Sequence, residues 1–276
     1  MTAPTAPATT VSTASAPVTP RAAGVVGALG TRALQLLAFP VVFLVLWQLL
    51  AVALDHPSVP TVDEAYGELV LQLSRERFRL SVLDTIYALT SGFFISLAVG
   101  LVLGSLLGRS RYWTSALGPI IYGINATPKI VFYPIFLTVL GVTMGARVGY
   151  ATLSGVLVVT LVMMEASANL DAKYSRIAQA YGLSRLQFVR YIIVPALLPS
   201  FATAARLAFA MIFLALTVAE LFSSPTGIGH EIVRHMQLAA VDRIVAVVML
   251  VFLIAIGPVS LLRTIEVRIN RRFELV

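Results

Sequence analysis

The chain has 276 residues and a mass of 29.6 kDa, with 58% of residues apolar, 12% charged, a net charge of +7 and a mean hydropathy of +0.91. A soluble domain carries about 25% charged residues, so a water-soluble fold of this length is excluded. Lys and Arg fall in short clusters between apolar runs, which reads as orientation in a bilayer and excludes a nucleic-acid groove binder.

Residues 1–30, rich in Ala, Thr, Pro and Val with Arg21 as their basic residue, read as a disordered tail ahead of a membrane domain over 31–276. A helical span needs about 20 apolar residues. Six runs meet or approach that: 33–54, 86–107, 117–140, 147–164, 196–219 and 244–262. Each far exceeds a ~10-residue barrel strand, so the expected fold is an all-α membrane protein with six transmembrane helices. Of the 20 Lys and Arg, twelve fall on the side of the two termini, six on the other (Arg75, Arg77, Arg79, Arg147, Arg234, Arg243), and Lys129 and Arg206 inside spans. The positive-inside rule therefore puts both termini in the cytoplasm. Between the first two spans, Val62, Ala65, Tyr66, Leu69, Val70 and Leu73 recur at helical spacing, predicting an amphipathic helix on the outer membrane surface.

Motifs for chemistry are absent. No cysteine removes thiolate nucleophiles and Cys-based zinc sites, and His56, His230 and His235 form no ligand pair, so no metal site is expected. There is no Gly-Lys dipeptide, hence no P-loop, and Gly227 and Gly229 lack the third glycine of a dinucleotide fingerprint.

The connection over 165–195 is far longer than the usual ~4–6 residues. Good helix formers run from Tyr174 to Gly182, a C′ stop; Ser184 is an N-cap, and Leu186, Val189, Ile192 and Ile193 form a second helical face leading to Pro195. Two helices at a glycine corner make a bracket. Ala178 and Gly182 form a small-residue patch for another protein, with Arg176, Arg185 and Arg190 around it; alternatively the arginines rest on anionic lipid.

This segment resembles the coupling motif of ATP-binding-cassette (ABC) importer permeases: Glu-Ala-Ala, three residues, Gly, nine residues, Ile-x-Leu-Pro. Here stand Arg176-Ile177-Ala178, Gly182 and Ile192-x-Val194-Pro195, with Arg176 in place of the motif's glutamate. Ala126–Leu137 followed by Gly141, Val218–Leu221, and Gly227–Ile232 resemble further segments of the nitrate/sulfonate/taurine-type permeases. The resemblance implies a coupling helix between spans 4 and 5 carrying Arg176, Ala178, Gly182, Ser184, Arg185, Ile192 and Pro195. It also implies a bacterial-type inner (cell) membrane location and a second permease copy, most simply as a homodimer. Two cytoplasmic ATPase subunits would bind ATP and Mg, and an external binding protein would deliver substrate. This chain would then be no enzyme and carry no cofactor.

Ionisable groups inside spans are functional candidates by default. Lys129, between Pro128 and Pro134, is a pore candidate on a proline-broken span, or else a lysine snorkelling to an interface. Arg206 and Glu220 lie 14 residues apart on one face of span five, too far to neutralise each other. Arg206 would meet a dimer mate or the substrate. Glu220 precedes a polar loop with Gly227 and Gly229 that would act as an outer gate or merely cap the span. Lys129 and Arg206 suit a small anion such as nitrate, a sulfonate or taurine. The competing reading is an ion- or proton-coupled secondary carrier, which calls for internal repeats and midplane carboxylates.

Overall fold

A computed structural model of the chain describes residues 41–54, 56, 59–170 and 172–273. The expected N-terminal tail and the first eight residues of the first expected span lie outside them. All regular structure among the described residues is helical. In chain order the helices are α1 (Val41–Leu54), α2 (Val62–Ser74), α3 (Glu76–Gly108), α4 (Arg111–Ala126), α5 (Tyr133–Leu140), α6 (Met144–Ala168), α7 (Ala172–Ala180), α8 (Arg185–Phe188), α9 (Val194–Ser223), α10 (Ile228–Gln237) and α11 (Val241–Phe273). Four helical stretches are long and apolar enough to cross a bilayer: α3, α6, the stretch Arg185–Ser223, and α11; counting α4 and α5 as one bent span makes five.

The core is a seam of small residues. In α3, Gly92, Gly100, Gly104 and Gly108 all face α6, and a Cβ built at Gly104 would lie 2.5 Å from the Thr160 carbonyl oxygen and 2.7 Å from Met163 Cβ. Lipid tails are as apolar as any core, so close backbone approach between small residues holds such helices together. Ser96 lies in the same seam, its hydroxyl 2.6 Å from the Gly92 carbonyl and 3.0 Å from that of Thr152. Val159 and Met163 of α6 also belong to one buried cluster with Ala204, Ala208, Ile212 and Leu216 of α9. Helix α6 is thus the central element, and α11 flanks α9.

Four expectations change. The third apolar run is not one helix: α4 ends at Ala126, Thr127 is extended ahead of Pro128, a single tight turn spans Lys129–Phe132, and α5 leaves at 95°. A residue before proline is pushed out of the helical region, so Pro128 sets a break and not a kink. The amphipathic helix forms as α2, opened by a capping box between Thr61 and Glu64. Its buried stripe does not lie on the membrane: Leu69 packs with Phe78, Ile228, Ala246, Val247 and Leu250, while Tyr66 and Val70 are exposed. The second arm of the bracket is not separate either. One widened turn, Val189–Ile193, carries α8 straight into α9, giving a continuous helix Arg185–Ser223. Pro195 lacks an N–H and its ring crowds the carbonyl four residues back, and the wider turn relieves both. Finally, Arg77 and Arg79, expected in a connection, belong to the first turn of α3, which starts at Glu76, while Arg147 sits at the start of its expected span.

Candidate functional site

Two sites lie at opposite ends of α9. The first is a buried ionic network where α9 ends. Glu220, in the last turn, is 1% exposed. The Thr85 hydroxyl of α3 donates to its carboxylate at 2.9 Å, the Gly229 N–H donates at 3.1 Å, and Arg147 donates through Nη1 at 3.5 Å. Arg147 lies in the first turn of α6, which Thr143 caps by accepting from the Ala146 N–H. Its guanidinium is also buried; it donates to the Thr226 carbonyl at 3.2 Å and hydroxyl at 3.1 Å, and stands 3.7 Å from Asp84. The Thr226 hydroxyl in turn donates to Asp84 at 2.5 Å, and the Ile228 N–H donates to Thr85 at 2.8 Å. Tyr133 of α5 reaches in to donate to the Ser223 carbonyl at 3.0 Å. One carboxylate and one guanidinium therefore join α3, α6, α9 and the chain leading into α10, while Tyr133 fastens α5 to the end of α9.

The loop chemistry follows from that carboxylate. Gly227 adopts φ +112°, and a Cβ there would fall 2.4 Å from Glu220 Cδ. A Cβ at Gly229 would fall 2.6 Å from Glu220 Cβ and 2.8 Å from the Thr217 carbonyl oxygen. Only glycine lets the 224–229 loop fold back this closely over Glu220.

A second buried carboxylate, Glu231 of α10, adjoins the network. It accepts from the Ser81 hydroxyl at 3.1 Å, with Arg234 Nη1 at 3.1 Å and His235 Nε2 at 3.9 Å. His235 is fully buried. Burial holds its pKa below the ordinary 6.5, Arg234, Arg243 and Arg75 push the same way, and Glu231 opposes them. A cavity of about 350 Å³ is lined by Glu76, Arg77, Leu80, Ser81, Pro225 and Thr226, of which Ser81 bonds Glu231 and Thr226 bonds Arg147.

The second site is the bracket. Gly182 takes φ +61° as the C′ residue of α7: its N–H donates to Gln179 at 3.1 Å and that of Leu183 to Ala178 at 3.0 Å. Ser184 caps α8, sharing a capping box with Gln187. Ala178 is buried and so is not the open patch expected of it; the exposed tip is Tyr181, Leu186, Arg176 and Arg185. Ile192 and Pro195 are half-buried on the way into α9.

The remaining expected residues are dispersed. Arg206 is held within the chain, 2.5 Å from Glu266 of α11, whose other oxygen accepts from Thr203 at 2.7 Å. Lys129 stands at the break after α4, its ammonium donating to the Asn125 carbonyl at 3.2 Å, flanked by exposed Pro128 and, across the turn, exposed Pro134. Arg206 and Glu220 do not meet. Glu165, at the start of the expected 165–195 connection, is not one of the expected site residues; it accepts from the Tyr122 hydroxyl. Sequence reasoning missed Arg147, Asp84, Thr85, Thr226 and Glu266. A signal for Arg147 existed: it lies four residues after a capping threonine, inside an apolar helix.

The family model for the inner membrane component of binding-protein-dependent transport systems matches residues 96–274. A protein of Bacillus subtilis named as an aliphatic sulfonates transport permease is 25% identical over 236 residues, covering 83% of this chain and 84% of the relative. A bicarbonate transport system permease of Synechococcus elongatus is 27% identical over 231 residues, covering 80% and 81%. Among solved structures, the MetNI methionine ABC transporter in inward-facing conformations has a chain that superposes with a TM-score of 0.56 at 18% identity. That match covers 69% of this chain and 93% of the other, and the likeness is one of fold.

Proposed function

The chain belongs to the family of binding-protein-dependent transport system inner membrane components and is an ABC importer permease; from that premise we propose how it is driven and what it carries. Six spans with both termini cytoplasmic carry a solute delivered by an external binding protein. Two ATPase subunits, holding ATP and Mg, drive a permease dimer from the cytoplasmic face of a bacterial inner membrane. The solute is a small anion of the nitrate, sulfonate or taurine kind, and the relatives named for sulfonates and bicarbonate support that class.

One observation carries the coupling mechanism. The helix from Arg185 to Ser223 is continuous for 39 residues, roughly 58 Å at 1.5 Å per residue. Its inner end begins three residues after the glycine corner; its outer end presents Glu220 to the ionic network. A push on the exposed tip is therefore transmitted along a single hydrogen-bonded rod to the contacts that close the outer end. A flexible connection would dissipate it. Differential contacts at both ends then bias two access states, as any ligand- or nucleotide-driven switch requires.

Co-purification and ATPase assays test this. With the ATPase subunits and binding protein reconstituted together, Leu186→Asp combined with Arg185→Glu at the exposed tip is expected to abolish ATPase association and uptake while leaving the permease folded. Retention of both activities, or failure of the unmodified chain to associate with any ATPase, refutes the reading.

A further inference from the structure

Charges inside an apolar bundle need compensation. Arg147 has Glu220 and Asp84, Arg206 has Glu266, and Glu165 has the Tyr122 hydroxyl. Lys129 differs. Among the described residues no carboxylate lies within 4.0 Å of its ammonium, whose bond is to a backbone carbonyl, that of Asn125. The Asn125 side-chain oxygen is itself buried without a partner. The lysine is half-buried, and its neighbours Pro128, Val131 and Ile135 are exposed to the outside of this chain. Its position is fixed by the 95° break between α4 and α5. Helix α4 is 16 residues long, so the break lies roughly 24 Å along the helix from the α3–α4 turn, inside a helix pair that together is long and apolar enough for one span.

Broken helices at membrane depth occur where the backbone is buried in protein or lines a water-filled space, and Pro128, Val131 and Ile135 at this break are not covered by the rest of the described chain. A cation held there without a counter-charge among the described residues is a site suited to an anion. An ammonium is a compact point charge on a flexible stem, which binds an anion without the two-pronged grip of a guanidinium and so lets it leave again.

We propose that Lys129 binds the negative charge of the transported solute as it passes the break between α4 and α5, and that this charge is what the membrane part of the importer selects. The proposal rests on the permease reading and adds to it the point in the path where charge is recognised. Arg206, the other cation that composition suggests for this role, is already engaged by Glu266.

The chain contains no cysteine, so Lys129→Cys places one thiol in each permease chain. In proteoliposomes holding permease, ATPase and binding protein, the thiol's reaction rate with methanethiosulfonates is measured with nitrate, bicarbonate, ethanesulfonate or glycerol at equal concentration. At least one anion is expected to slow modification fivefold or more, and glycerol not at all. Uptake of the protecting anion is then expected to fall at least tenfold in Lys129→Cys. The 2-aminoethyl reagent, which restores an ammonium, should recover most of it; the 2-sulfonatoethyl reagent, which adds a negative charge, should recover none, and Lys129→Arg should keep a large share. Protection by no anion, protection by glycerol as strong as by the anions, or equal recovery with both reagents overturns the proposal. Absence of anion protection also identifies a lysine that only meets lipid phosphate or a carboxylate of a second copy. ATPase stimulation by the binding protein, measured on each variant, keeps folding and assembly separate. If the unmodified chain never couples to an ATPase the permease reading fails; if coupling persists while charge at 129 is irrelevant, only the Lys129 assignment fails.

Discussion

The strongest quantitative consequence of the ionic network at the end of α9 is a coupling between Glu220 and Arg147. In Glu220→Ala the Gly229 N–H loses its acceptor, Thr85 can fall back on the Ser81 carbonyl 3.3 Å away, and Arg147 keeps Thr226 and Asp84 at 3.7 Å. Removing one member of a buried pair costs about 3–5 kcal/mol because it strands the other charge. The residual Asp84 contact puts Glu220→Ala near 3 kcal/mol, at the lower end of that range. Arg147→Met leaves Glu220 with two neutral donors and no opposite charge in reach, which costs about 4 kcal/mol on the same scale. With both changed, neither charge is stranded, so the double variant should lose about 2 kcal/mol less than the sum, within the range for residues in direct contact. Unfolding in mixed micelles, followed by tryptophan fluorescence, measures the cycle. Additivity to within about 0.5 kcal/mol would show that the two side chains do not depend on each other, and the network would then be a coincidence of packing.

Three other outcomes follow from the same geometry. Gly104→Ala forces α3 and α6 apart against the Thr160 carbonyl and should cost about 1–3 kcal/mol by overpacking, whereas Gly118→Ala, whose nearest atom is Met164 Cε at 3.6 Å, should change stability little; the same titration compares them. Gly182→Ala meets no neighbour but must hold φ +61°, so it should loosen the α7 terminus by about 1 kcal/mol, read as faster amide exchange over α7, with Gly182→Asn milder. His235 has a folded pKa below its unfolded value of 6.5. The unfolded chain therefore takes up a proton first as pH falls through 6.5, and stability declines on the acid side until the lower folded pKa is passed. Above pH 7 this group contributes no slope. His235→Phe should flatten the decline in a pH series from 8 to 5; an unchanged slope would contradict the burial of the ring.

How much of this was legible in the sequence depends on which force wrote each feature. Span lengths follow from the hydrophobic cost of a bilayer, and so the apolar runs found α3, α6, α9 and α11, each extended by several residues because polar helix ends leave no hydropathy signal. Local chemistry was also legible: Gly182, free to take a positive φ, and the Ser184 cap form the expected corner, and the proline-broken span breaks at Pro128, although its 95° angle could not be read from the sequence. Pairing was not. A helix in lipid can be apolar all round, so periodicity does not mark which face meets protein, and the α3 glycines gain meaning only once α6 lies against them. Charge counting treated Arg147 as a topological marker, since a count weighs an arginine by its position relative to a span and not by what it touches. The residues that neutralise it, Asp84 and Glu220, lie 63 and 73 positions away in sequence. Arg206 shows the same blindness: an (i, i+14) relation to Glu220 was visible, while its actual partner, Glu266, lay in a segment read as a cytoplasmic tail.

The two paired arginines also explain why Lys129 stands out only in three dimensions. By sequence, Lys129, Arg147 and Arg206 are three basic residues in or beside apolar runs, and each could be read as lining a path. Folding supplies carboxylates to two of them, which converts those two into ties between helices: Arg147 joins α6 to α3 and α9, and Arg206 joins α9 to α11. A charge spent on such a tie cannot bind and release a solute without loosening the helices it holds. The break after α4 works the other way. The break at Pro128 withdraws the Lys129 backbone N–H that the Asn125 carbonyl would accept in an unbroken helix, and the Lys129 ammonium bonds that carbonyl instead. That contact is a single bond to a neutral acceptor, which an anion can displace at little cost to the fold, and reversibility of this kind is what a transport site needs.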